Sequence, residues 1–195
     1  SNWGNVNDEN MGDQLMSCIT QANQAVLKEQ QERGLIMKST VVALALDEGK
    51  AAWAHVGDSR LYHISGRRIY HATRDHSVTY KKFLMGEISR EEINFDEDRS
   101  SLLRAVGDTS RWLPEWGEPL NDGAVLPGDA FLLCSDGFWE YLFDEEILID
   151  RLKADTAQRW AELMLLRLLP RMRPNSDNLT LITVFVGGAN QEEAI

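Results

Sequence analysis

The sequence predicts an α+β layered domain, and three observations carry that reading. Short β-like runs crowd residues 39–71, two helix-spaced segments follow one another between 144 and 169, and a nearly continuous apolar run closes the pattern at Leu179–Val186. Strands collected in runs and helices collected in runs build layers of sheet and helix, not an alternating parallel fold.

The elements follow in chain order. Residues 1–11 are polar and read as an N-terminal loop. From Gly12 to about Gln30, Leu15, Ile19, Ala22, Val26 and Leu27 recur at helical spacing, and Gly34 is placed to stop the helix. Ser39–Leu46, Ala51–Val56, Leu61–Ile64 and Arg68–His71 are short runs joined by tight Gly, Asp and Ser turns, the mark of an antiparallel meander. Residues 75–99 are more polar, with short helices expected at Val78–Met85 and near Ser89–Ile93. Leu102, Leu103 and Val106 make a small apolar patch, and 108–128, with three prolines, reads as loop. Ala130–Cys134 is the next strand. Helices are expected at Asp144–Lys153 and Thr156–Leu169, with Asp144 and Asp155-Thr156 as caps.

At 195 residues the chain supports one domain with a real core. A formal net charge of -11 excludes the usual nucleic-acid and anionic-membrane binders, because phosphate surfaces reward the opposite sign. Cys18 and Cys134 both lie among apolar residues and read as buried free thiols of a reducing cytoplasm, not a disulfide framework. No apolar run approaches the roughly 20 residues of a membrane span, and the first residues carry no secretion signal.

Several chemistries drop out. Cys134 has neither the glycine-rich loop nor the downstream Arg that a cysteine phosphatase needs, and no HExxH, CxxC or Walker pattern is present. His55, His63, His71 and His76 lack zinc spacing and are expected at surface or edge positions. The six tryptophans read as packing, and Arg67 and Arg68 as turn residues.

The carboxylates are more informative. Asp136, in Ser135-Asp136-Gly137, follows a strand, and Asp177, in Ser176-Asp177-Asn178, precedes one. Read singly, each is a turn or capping residue. If the two strands run antiparallel in one sheet, both carboxylates project from the same rim, where close anions repel or demand a cation such as Mg²⁺ or Mn²⁺. Asp75 is a third acidic candidate, which by itself reads as a helix N-cap. Asp58 reads as the brace of a hairpin turn between two β runs.

The ordered motifs Lys38–Leu44, Ala54–Tyr62, Thr73–Ser77, Leu103–Gly107, Phe131–Gly137 and Ser176–Thr180 resemble those of the metal-dependent serine/threonine protein phosphatases of type 2C (PPM), in a bacterial form. The resemblance runs from about residue 12 to residue 186. It implies an α-β-β-α sandwich of two antiparallel sheets between outer helices, a flap over residues 78–99, and hydrolysis of phosphoserine and phosphothreonine by a metal-activated water. It implies two, or with a weaker site three, Mn²⁺ or Mg²⁺ ions, with Asp136 and Asp177 as ligands of one metal and Asp75 associated with the third site. A phosphoprotein substrate and a cognate serine/threonine kinase are the implied partners. The family's Arg-containing Asn-Glu-Asp motif and its metal-bridging Asp-Gly segment have no counterpart here; Asn5–Asn10 is only a superficial match to the first. The expectation is therefore a chain that begins after the bridging aspartate. Such a chain would have exposed sheet edges able to self-associate, weak metal binding and little activity by itself. An inactive phosphatase-like binding domain is the alternative.

Overall fold

The structure, a computed structural model, describes residues 11–109, 113–120 and 122–187. The expected N-terminal loop lies outside these residues except for Met11, which opens the first helix.

Helix α1 spans Met11–Arg33 and is followed by strands β1 (Val41–Asp47), β2 (Lys50–Val56), β3 (Arg60–Ser65) and β4 (Arg68–Ala72). Helix α2 (Val78–Leu84) and a 3-10 turn at Glu91–Phe95 come next. They are followed by β5 (Glu115–Gly117), β6 (Ala130–Cys134), the short α3 (Asp136–Trp139), α4 (Asp144–Lys153), α5 (Ala157–Leu168) and β7 (Leu181–Phe185). Ser77 caps α2 by accepting from the Tyr80 N–H, and Thr156 caps α5 by accepting from the Arg159 N–H.

The strands form two antiparallel sheets, β1-β2-β5 and β4-β3-β6-β7. Three apolar clusters then define three interfaces between four layers. Ile19, Ala54, Val56 and Val106 join α1 to the first sheet. Ala51, Trp53, Leu61, Phe131 and Leu133 lie between the sheets. Tyr62, Ile64, Leu132, Trp139, Trp160 and Met164 join the second sheet to α3–α5. Period-2 alternation divides each strand between two interfaces, as Trp53 and Ala54 show in β2, and Leu61 and Tyr62 in β3.

Three expectations are corrected. The four early strands are not one meander but two hairpins in different sheets, and the chain crosses between sheets at residues 57–59. The crossing relies on Gly57, whose φ of +104° suits glycine and whose absent Cβ would lie 2.4 Å from the Thr40 methyl. Residues 108–128 are not all loop. β5 extends the first sheet opposite Trp53–His55, and Trp116 covers α1 so closely that a Cβ on Gly12 would sit 2.5 Å from the indole. Cys18 is exposed, because Ile19 and Asn23 occupy the inward face of α1; Cys134 is buried, and burial pushes its thiol up. Among the described residues no helix is long and apolar enough to cross a membrane.

Gly57→Ala should cost at least ~2 kcal/mol of unfolding free energy, measured by urea denaturation, since it combines a left-handed backbone with a steric overlap. A substitution at Gly49, with positive φ but open space, should cost less.

Candidate functional site

The site sits where the ends of β3, β6 and β7 meet the crossover from β2. β6 and β7 are antiparallel, with Cys134 opposite Leu181. Asp136, just beyond β6, and Asp177, just before β7, therefore occupy the same rim. The Ser135 N–H donates to Thr180 O at 3.0 Å, the Thr180 N–H donates back to Ser135 Oγ at 3.0 Å, and a Cβ on Gly137 would be 2.7 Å from Asn178 O. These contacts hold the two acidic turns against each other. Asp136 opens α3, whose Gly137 N–H donates to its Oδ1 at 2.8 Å.

Asp58 completes the rim, and sequence reasoning assigned it to a hairpin brace. It lies on the sheet-to-sheet crossing and is 5% exposed. Burial, then the charges of Asp136 and Asp75, push its carboxyl up to about 7. Burial, then Asp177 and Glu140, raise Asp136 in the same direction. Among the described residues no Lys or Arg pairs with Asp58, Asp136 or Asp177 at salt-bridge distance. Among the described residues the rim gathers negative charge without a protein cation on it.

Asp75 stands behind that rim. Its Oδ1 and Oδ2 accept from Arg60 Nε and Nη2 at 2.8 and 2.7 Å, with both side chains almost fully buried. The guanidinium lies 3.5 Å over the Trp139 ring and donates to the Tyr62 hydroxyl, while Trp139 Nε1 donates to Asp58 O at 2.8 Å. A metal at Asp75 would have to displace Arg60. The signal that could have found this network was Arg60 itself, a charged residue within an apolar strand run, which requires a buried partner.

Three of the four histidines depart from the expected surface or edge positions, while His71 lies half-buried on the edge strand β4. His55, His63 and His76 are buried, each drawn in by a partner: Arg74 O for His55 Nε2, Asp129 for His63, and both the Gly57 N–H and Glu115 for His76. One ligand atom each from His55, His76 and Glu115 lies within 4.8 Å of the others, a constellation with metal-like composition. Much of its donor capacity is already engaged in hydrogen bonds. His76 Nδ1 accepts from Gly57, so the proton resides on Nε2 and points at Glu115, which Arg104 also pairs at 2.9 Å. Burial and then His55 lower His76 to about 4, so the ring is neutral near pH 7.

No family model matches the chain. Protein phosphatase PhpP of Streptococcus pneumoniae is 28% identical over 160 residues, which are 81% of this chain and 61% of that protein. Serine/threonine phosphatase Stp1 of Staphylococcus aureus superimposes with a TM-score of 0.81 at 28% identity, covering 96% of this chain and 72% of the other. PppA of Pseudomonas aeruginosa superimposes with a TM-score of 0.66 at 31% identity, covering 87% and 68%. The chain thus spans 61% of the length of the first curated relatives it matches.

Because Asp58 is favoured as the neutral acid in the folded chain, its contribution to stability is fully present below about pH 4 and is lost as pH rises through about 7. In the presence of a chelator, Asp58→Asn should therefore stabilise the chain at pH 8 by ~4 kcal/mol at most, with the gain shrinking toward pH 4. Denaturant titrations at several pH values read this directly. Asp75→Ala should cost about 3–5 kcal/mol by stranding Arg60, and the Arg60→Met/Asp75→Leu double variant should recover much of that loss.

Proposed function

From the type 2C (PPM) family of metal-dependent serine/threonine protein phosphatases, to which this chain belongs, we propose that the whole protein hydrolyses phosphoserine and phosphothreonine in proteins at the rim of Asp136, Asp177 and Asp58. The observation that carries the proposal is the placement of Asp136 and Asp177 on one rim beside the buried Asp58, with Asp58 and Asp136 raised by burial and by neighbouring carboxylates and, among the described residues, no protein cation paired to any of the three. Oxygen donors in that arrangement suit Mg²⁺ or Mn²⁺, and a cation there would relieve the repulsion.

Asp136 and Asp177 are assigned as ligands of one ion. Asp58 supplies either a further oxygen or the negative charge behind Asp136. Asp75, implied by the resemblance as a third-site residue, is assigned to the scaffold, where it fixes Arg60 and through Trp139 the backbone of Asp58. Divalent cations at such a centre supply charge for the phosphoryl oxygens and a water acidified enough to attack phosphorus. The chain's own residues keep the rim rigid and tie the segment 78–99 to the turn and helix that follow α3. Lys82 of α2 binds Asp96 and Asp98 within that segment, Arg90 pairs with Asp144, and Arg99 pairs with Glu140 of the turn after α3.

A phosphoprotein substrate, an opposing serine/threonine kinase and a cytoplasmic location belong to the same proposal. So does self-association through sheet edges: among the described residues β1 and β7 each have one paired side, and Leu46 and Ile182 are exposed there.

Calorimetry should detect Mn²⁺ binding to this chain, weakened about 10- to 100-fold by Asp136→Asn with the fold intact by circular dichroism. In the full-length protein the same substitution should abolish Mn²⁺-dependent hydrolysis of a phosphothreonine peptide. Unchanged Mn²⁺ affinity, or an active full-length variant, contradicts the assignment.

A further inference from the structure

Helix α3 sets two carboxylates on one face. Asp136 opens the helix, Glu140 follows one turn later, and the Glu140 N–H donates to Asp136 O at 3.0 Å. Side chains at this i,i+4 spacing are neighbours, with Cβ atoms roughly 5–6 Å apart, and like charges there repel. After burial and Asp177, Glu140 is accordingly one of the groups that raise Asp136. The short helix thus carries a carboxylate just outside the proposed ligand set, close enough for its charge to be felt at the rim.

That charge is matched from a distant part of the chain. Arg99 Nε donates to Glu140 Oε2 at 2.9 Å, with the Glu140 side chain 11% exposed and that of Arg99 38%. Among the described residues no other Lys or Arg reaches Glu140 at salt-bridge distance. Arg171, which lines the same groove, is held by both oxygens of Glu146.

Arg99 belongs to the segment 78–99, which rests on the residues around Glu140 at two further points. Asn94 Nδ2 donates to Trp139 O at 3.4 Å, and Arg90 pairs with Asp144 at 2.9 Å. The seating of this segment therefore decides whether Glu140 is neutralised. The pair lines a groove of about 370 Å³. With Arg99 partly exposed, the ion pair can part without stranding its guanidinium in apolar surroundings.

We propose, on the reading of the rim as the metal site, that the Arg99–Glu140 pair sets the affinity of that rim for a divalent cation. Glu140 adds a negative charge one helical turn from Asp136, and Arg99 offsets it while the segment 78–99 is seated. Both are positioning residues, acting through the field at Asp136. The sign is diagnostic. Losing a purely structural contact weakens a metal site, whereas losing Arg99 uncovers Glu140 and strengthens this one. A divalent ion doubles the Coulomb energy of each such contact, and salt screens it.

Calorimetric titration of the chain with Mn²⁺ at pH 8, above the value of about 7 to which Asp58 is raised, tests this. Arg99→Gln should bind Mn²⁺ about 3- to 10-fold more tightly than the parent chain, and Glu140→Gln about 3- to 10-fold more weakly. Arg99→Lys, which keeps the charge, should bind like the parent, and the gain in Arg99→Gln should shrink in roughly 0.5 M NaCl. The inference is overturned, with the rim still a metal site, by any of three results: Arg99→Gln binding no tighter than the parent, both Gln variants weakened alike, or Arg99→Lys matching Arg99→Gln. Absence of Mn²⁺ binding by the parent chain overturns the rim itself and the inference with it.

Discussion

The buried pair of Arg60 and Asp75 is the constraint from which the rest of the site follows. A guanidinium at the start of β3 faces the helix layer, and only a fully paired cation is tolerated there. Asp75 supplies both oxygens, Tyr62 takes a third donor, and Trp139 covers the flat face. Because Trp139 also donates to the Asp58 carbonyl, the pair fixes the sheet-to-sheet crossing relative to α3. Asp136 begins that same short helix. One ion pair thereby sets the positions of two of the three rim carboxylates.

The third is set by strand register. The antiparallel pairing of β6 with β7 brings the end of one strand to the beginning of the other, and the Ser135–Thr180 hydrogen bonds lock the two turns together. The repulsion among the acidic groups is then a property of the fold itself. Carboxyl groups that could relax apart in a flexible loop cannot do so when each is tied to a strand end, and burial raises Asp58 and Asp136 in response. A hard divalent ion bound there would turn this cost into affinity.

Most of the layered fold was legible because its signals are local. Ala130–Cys134 and Asp144–Lys153 have the observed boundaries, and α1, α2, α5 and β7 differ from expectation by only a few terminal residues. What escaped was non-local. β5 is three residues long and earns its place by pairing with Trp53–His55, a contact that no window around Glu115 reveals. The two-sheet division of the early strands hinges on one glycine that could equally have made a hairpin. Asp136 and Asp177 were readable as a pair through the strands beside them. Asp58 was not, because the same Gly-Asp-Ser string serves a turn or a crossing, and only burial next to Asp136 distinguishes them. The buried histidines escaped for a similar reason: their partners Arg74, Asp129 and Glu115 are all distant in sequence.

Two acidic or mixed constellations therefore compete for a cation in this chain, and their chemistry separates them. His55, His76 and Glu115 include softer donors, but His76 is already bonded to Glu115 and to the Gly57 N–H, and His55 to the Arg74 carbonyl. The aspartate rim has hard oxygens and unrelieved charge. An anomalous difference map from a crystal soaked in Mn²⁺ tests this most directly. The account predicts a peak between the side chains of Asp136 and Asp177; a peak among His55, His76 and Glu115 with none at the rim would contradict it.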